Sequence, residues 1–214
     1  MEGYASEKEQ IEEIRKWWDA NGKAVLGGLA LGLVVLFGYR YWDASRNALA
    51  EQASINYEHF LTVAAQGPGK EASEAGESLI ATYPETAYAK LAALLLASLE
   101  VRDKKPEDAE KHLRWVVEHS GSPELRAVAQ TRLAALLLAR GDTAAADAIV
   151  KQLPAAGDND RYAELRGDLL AAQGKADEAH AMYLEAIAAL KTIGGDPSSL
   201  QIKLDNLGLT AATE

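Results

Sequence analysis

Between Ala24 and Tyr39 the chain reads AVLGGLALGLVVLFGY, sixteen residues without a charge, bounded by Lys23 and Arg40. As a helix rising about 1.5 Å per residue, such a run spans roughly 24 Å, a little less than the hydrocarbon core of a bilayer. The flanks supply the remainder. Lys23 and Arg40 have long apolar stems that let their charges snorkel outward, and Trp17 and Trp18 at one end, with Tyr39, Tyr41 and Trp42 at the other, suit the headgroup level. A soluble core helix of this composition needs chain around it on all sides. A cleaved secretion signal needs a short basic start and a small-residue cleavage site, whereas here 23 residues, six of them acidic, precede the run and YRYWDAS follows it. The run therefore predicts one membrane helix over residues 23–42. Gly28 and Gly32 have the spacing that lets a second membrane helix approach closely, although glycine is frequent in membrane helices generally.

Basic residues set the expected orientation. Lys8, Arg15, Lys16 and Lys23 precede the span, against Arg40 and Arg46 shortly after it. This favours a cytoplasmic N-terminus and places the large C-terminal part outside the cytoplasm, in a bacterium the periplasm. The absence of cysteine suits an oxidising compartment. Within residues 1–22, Glu7 to Asp19 sets Ile11, Ile14 and Trp18 on one helical face, and Asn21-Gly22 is expected to end that helix. Such a segment is an interfacial anchor or a docking helix for a cytosolic partner.

From Asp43 onward there are 17 basic and 26 acidic residues, a balance that disfavours nucleic acid and anionic lipid as partners of this part. Alanine is abundant and Val, Ile and Thr form no alternating runs, so the expected class is all-α. The alanines conceal a repeat. Ala109, Ala146 and Ala179 stand in similar surroundings, 37 and 33 residues apart, close to the period of about 34 that marks tetratricopeptide-type helix pairs. Twelve residues before each marker stand Ala97, Ala134 and Gly167, small enough for close helix approach, and four residues after it stand Leu113, Val150 and Tyr183, large enough to fill the gap between pairs. Leu137 and Leu170 share a large position that Glu100 occupies in the first, degenerate repeat. Gly141 and Gly174 suit helix ends, and Pro106 and Pro123 suit helix starts. Connecting helices are expected over residues 43–87, broken by Gln66-Gly67-Pro68-Gly69, and helix pairs over 88–191. A capping helix and tail follow over 192–214, with Asp196 and Pro197 at the helix start and a Leu200, Leu204, Leu207 stripe.

Catalytic signatures are sparse. There is no cysteine nucleophile, and His59, His112, His119 and His180 lack metal-protease spacing. His112 and His119 can share a helix face, but two ligands are too few for a structural zinc site. Asp158-Asn159-Asp160 begins like a calcium loop without its glycine or later ligands and reads as a turn. No cofactor is expected. Binding is the better prospect. The first helix of each pair would line a concave face through Leu91, Leu94, Ser98 and Val101, then Val128, Thr131, Ala135 and Leu138, then Arg161, Glu164 and Asp168. That groove is apolar over two repeats and charged in the third. It suits an amphipathic helix or an extended apolar chain from a partner, or the chain's own terminal helix or the helix from Asp43 filling it from within. Arg102, Lys104, Lys105, Lys111 and Arg114 form a basic group that reads as a solvated face or as a dock for an acidic partner.

The acidic start YASEKEQIEEIRKWW, the NGKA before the apolar run, the GYRYW after it and the terminal QIKLDNL together resemble the YfgM family, ancillary subunits of the bacterial SecYEG translocon. The resemblance implies an inner-membrane protein with a single span, its N-terminus cytoplasmic, and a periplasmic tetratricopeptide-like α-solenoid. It also implies association with the translocon and with the membrane-anchored periplasmic chaperone PpiD, and no catalytic residues. The expected function is a non-enzymatic scaffold in the lipid bilayer that links the translocon to periplasmic chaperones and assists exported polypeptides. The alternatives are a regulator that sequesters a cytosolic signalling protein through its N-terminal segment, using Glu12, Glu13, Ile14 and Trp17, and an enzyme whose constellation the sequence does not display.

Overall fold

Helix boundaries in this chain fall where side chains can cap a helix or break one. The computed structural model describes residues 7–153 and 160–208. Among these residues it is all-α: α1 (Glu7–Ala64), α2 (Lys70–Thr82), α3 (Ala87–Arg102), α4 (Pro106–His119), α5 (Pro123–Ala139), α6 (Thr143–Val150), α7 (Asp160–Ala172), α8 (Ala176–Thr192) and α9 (Ser198–Asn206). Thr86, Ser122 and Asp142 cap α3, α5 and α6 by accepting from the backbone N–H three residues on. Pro106 and Pro123 open α4 and α5, where a missing N–H leaves nothing unpaired. Pro197 stands one position before the first residue of α9, and the Asp196 carboxylate accepts from the Ser198 backbone N–H and hydroxyl.

The ends of α3, α5 and α7 share one geometry. The N–H of Lys105, Asp142 and Lys175 reaches back five residues to the carbonyl of Glu100, Leu137 and Leu170, at 2.8, 2.9 and 2.9 Å. In each turn the residue before that donor is left-handed: Lys104 at φ 60°, Gly141 at 82° and Gly174 at 75°. This is the closure in which glycine is favoured because a Cβ is strained there. The sequence pattern finds it at Gly141 and Gly174; the first repeat makes the same turn with a lysine.

The chain divides between Glu51 and Gln52 into two units. In the first, α1 continues without a break through Asn21-Gly22, contrary to the expected helix end. The Asn21 side chain donates to the Trp17 carbonyl rather than capping, and Gly22 lies buried under the Trp18 indole. One glycine in a long helix costs only about 1 kcal/mol, too little to stop it. The large apolar side chains described in this unit are exposed, Leu31 at 67 %, Val34 at 69 % and Phe37 at 64 %.

The second unit holds three apolar clusters in chain order. Ala53, Phe60, Val63 and Ala64 of α1 pack with α2 and α3. Ala97, Leu113, Leu133, Leu137 and Val150 join α3, α4, α5 and α6, with Leu165 and Leu169 of α7. Ala163, Ala179, Tyr183, Ile187, Leu200 and Leu204 join α7, α8 and α9. The region is thus a helical repeat in which each pair buries its apolar stripe against the next. The marker alanines Ala109, Ala146 and Ala179 are fully buried.

Candidate functional site

Repeat register positions the residues that face one another across successive first helices. Ala97, Ala134 and Gly167 on the first helices and Leu113, Val150 and Tyr183 on the second are all buried, and all but Gly167 and Tyr183 share one core cluster. The third pair exchanges volume between the partners. A Cβ on Gly167 would lie 2.5 Å from the Tyr183 ring, so the larger side chain on α8 requires the absent one on α7. The Tyr183 hydroxyl donates to Asp168 at 2.8 Å. Burial and that carboxylate both hold the phenol protonated, well above its ordinary range.

In the seam between α7 and α9, Lys203 donates to Glu164 at 2.6 Å and to both Asp168 oxygens at 2.7 and 2.8 Å. Burial pulls the Lys203 ammonium down, but its hydrogen bonds to Asp168 and Glu164 outweigh that and raise it overall. Leu200 and Leu204, one turn apart on α9, are buried beside Tyr183 and Ile187. Two of the three charged positions expected to face a partner, Glu164 and Asp168, are therefore occupied by the chain's own terminal helix.

The seam between α3 and α5 is different. Ala97, Ser98, Val101 and Arg102 on one side and Arg132, Ala135, Leu136 and Ala139 on the other enclose a groove of about 500 Å³, with Leu113 of α4 at its floor. Its lining has no carboxylate. The Arg132 guanidinium donates to the Leu94 backbone carbonyl at 3.2 Å, and burial, with a smaller push from the nearby Arg161, lowers its pKa. Among the described residues Arg102 and Arg132 take part in no ion pair, whereas other members of the basic group are neutralised locally: Lys105 by Asp103 at 2.6 Å, Lys111 by Asp108 at 2.8 Å and Arg114 by Glu110 at 2.8 Å.

Of the other expected lining residues, Leu94 is in the main core, 5 % exposed. Leu91 and Thr131 are half-buried, the Thr131 hydroxyl donating to the Ala127 carbonyl, and Leu138 packs against the main core. Val128 is exposed at 41 %, Val101 at 49 %, and Arg161 is exposed. Ser98, Val101 and Ala135 are brought together in the groove; sequence reasoning missed Leu136, Ala139 and, chief among them, Arg132. Its signal is slight, a basic residue two positions before Ala134 in an otherwise apolar stretch.

Glu100, standing where the other repeats have leucine, is 5 % exposed and meets His112 Nδ1 at 2.9 Å. Burial pushes its carboxyl up, and the His112 hydrogen bond offsets part of that rise. His119 instead turns its Nδ1 to the Trp115 carbonyl and stacks on that indole at 4.8 Å. Among the described residues no three His, Asp or Glu side chains converge as a metal site would need. The stretch before Asp160, including Asp158 and Asn159, lies outside the described residues. Gly28 and Gly32 are exposed on α1, and a Cβ at either would meet nothing within 4 Å.

The tetratricopeptide repeat-like domain family matches residues 15–209. The chain is 29 % identical over 209 residues to the ancillary SecYEG translocon subunit of Escherichia coli (strain K12), covering 98 % of this chain and 100 % of that protein. It is 30 % identical over 173 residues to the ancillary SecYEG translocon subunit of Haemophilus influenzae, covering 80 % and 84 %. Identity to the Neisseria gonorrhoeae protein of the same name is 26 % over 208 residues, covering 97 % and 100 %.

Proposed function

This chain belongs to the family of ancillary SecYEG translocon subunits with a tetratricopeptide repeat-like domain, and from that premise we propose that it is a non-enzymatic scaffold of the Sec translocon, tethered in the bacterial inner membrane. The observation that carries the reading is the end-to-end match to the Escherichia coli subunit. The apolar, exposed stretch of α1 supports the tether, since a face of that size in water demands an apolar partner, and a bilayer suits a helix of that length. In this reading residues 23–42 cross the membrane, 1–22 lie in the cytoplasm by the excess of basic residues there, and the helical repeat stands in the periplasm as a solenoid. Gly28 and Gly32 face a helix of the translocon. The accessible part of the expected groove face, Leu91, Val101, Val128, Thr131, Leu138 and Arg161, serves partner binding: the chaperone PpiD, and through it exported polypeptides; Leu94, buried in the core, and Glu164, held by Lys203, take no part. Tethering raises the local concentration of that face beside the translocon, so weak intrinsic affinity suffices.

Purification of the full-length protein from native membranes in mild detergent tests the proposal. Translocon subunits and a periplasmic chaperone should accompany it in stoichiometric amounts and remain after deletion of residues 1–20. A preparation lacking both would sink the scaffold reading. A cytosolic regulator that disappears on that deletion would replace it with the sequestration reading.

A further inference from the structure

The two seams place a basic residue of one first helix over the same register of the preceding one. Lys203 reaches Glu164, three residues before Gly167, and Asp168, one residue after it. Arg132 reaches the residue three before Ala97, which is Leu94, and only its backbone carbonyl is there to accept. The residue one after Ala97 is Ser98. The first seam thus keeps the cation and lacks both carboxylates, and a second cation, Arg102, lines the same groove.

We propose that the groove between α3 and α5 receives an acidic amphipathic helix of a partner protein, one that seats an apolar side chain among Ala97, Ala135 and Ala139 and sets an Asp or Glu carboxylate on Arg102 and Arg132. This rests on the scaffold reading and adds the chemistry of the segment held. The chain carries its own example of such a complex. α9 presents two buried leucines one turn apart with a cation between them, and the α7 surface answers with two carboxylates. The first seam has the apolar floor and the opposite charge. Its small side chains leave a space of about 500 Å³, larger than one leucine or phenylalanine side chain and suited to the apolar face of a helix. In a protein of net charge −10, two arginines without a carboxylate partner among the described residues stand against the general field, and guanidinium pairs readily with carboxylate through two parallel hydrogen bonds. The apolar seat supplies most of the affinity and the charge supplies the choice of partner.

The probe is a fluorescein-labelled peptide of this chain's residues 197–208, PSSLQIKLDNLG, compared with the same peptide bearing Lys203→Glu. Both are titrated against the full-length protein in detergent, read by fluorescence anisotropy. The Lys203→Glu peptide should bind at least about tenfold more tightly than the unaltered one. Ala135→Leu in the protein, an exposed position where helix content should be unchanged by circular dichroism, should abolish that binding by taking up the seat among Ala97, Ala135 and Ala139. Arg102→Glu with Arg132→Glu should reverse the preference towards the lysine peptide. Equal binding of the two peptides, no binding of the Lys203→Glu peptide at about 1 mM, or binding that survives both protein variants overturns the proposal. Co-purification separates the two levels. If the wild-type protein brings down no translocon subunits, the scaffold reading itself fails. If wild type and the double arginine variant bring down the same partners equally, only the groove assignment fails.

Discussion

The α7–α9 end of the repeat and its α3–α5 section use one backbone plan and close it differently. Both have first helices that end in the same left-handed turn, and both bring a basic residue back over the preceding first helix. At the α7–α9 end the charges are satisfied within the chain: one ammonium, two carboxylates and a tyrosine hydroxyl form a single network above a leucine-filled seam. In the α3–α5 section the corresponding positions are Leu94 and Ser98, and the arginines line an open groove. Backbone repetition therefore does not imply repetition of what the surface can hold. The ion-paired seam and the open one differ at two register positions, Glu164 and Asp168 in the former against Leu94 and Ser98 in the latter.

The largest expected effect lies in the closed seam. Leu200→Ala removes a side chain that is 2 % exposed and should cost about 3 kcal/mol, read from urea unfolding followed by circular dichroism; a loss below about 1 kcal/mol would mean that α9 is not an integral part of the stack. Next comes Gly167→Ala, which drives a Cβ into the Tyr183 ring and should cost about 2 kcal/mol despite alanine's better helix propensity. Adding Tyr183→Leu, the pairing that Ala97 and Leu113 already show, should recover most of that loss in a double-mutant cycle. Lys203→Ala leaves Glu164 and Asp168 facing each other; with side chains about 32 % exposed, solvent screening limits the loss to about 1 kcal/mol. It should shrink in high salt, and a loss that ignores salt would contradict the electrostatic account.

Two smaller effects concern the first repeat. Lys104→Gly should stabilise the domain by about 0.5–1 kcal/mol, because the left-handed turn is strained for any residue with a Cβ; an unchanged urea midpoint would show that the turn is relaxed with lysine. Glu100→Gln should alter a pH dependence more than a stability. Burial raises the folded Glu100 carboxyl above its ordinary 4.5, so the folded state holds more protons than the unfolded one just above that pH. The wild-type protein accordingly gains stability as pH falls through that window, and the gain should vanish in Glu100→Gln. Parallel melting-temperature profiles for the two proteins between about pH 4 and 7 would contradict this.

Much of this molecule was legible in advance where a signal acts within one helical turn. Pro106, Pro123, Gly141 and Gly174 mark ends that the structure reproduces, and the family seen in YASEKEQIEEIRKWW, GYRYW and QIKLDNL is the one to which the chain belongs. The expected end at Asn21-Gly22 failed because a weak local breaker competes with a helix already propagating on both sides, where each added residue gains a hydrogen bond. The turn at Lys104 carried no glycine to announce it. Arg132 is not legible from its neighbours because its significance depends on what stands across the seam, at Leu94, 38 residues away.

By itself, then, the sequence determined the helical class, the apolar segment of α1, the repeat register and the family, since periodicity, composition and capping chemistry act locally and sum along the chain. Only the tertiary structure decided which seam is closed. Lys203 meets Glu164 and Asp168 across 39 and 35 residues of chain, and no local pattern distinguishes it from a solvated lysine. Packing of α9 against α8, through Leu200 and Leu204, brings that ammonium to its carboxylates, while the arginines of the α3–α5 groove find only a carbonyl.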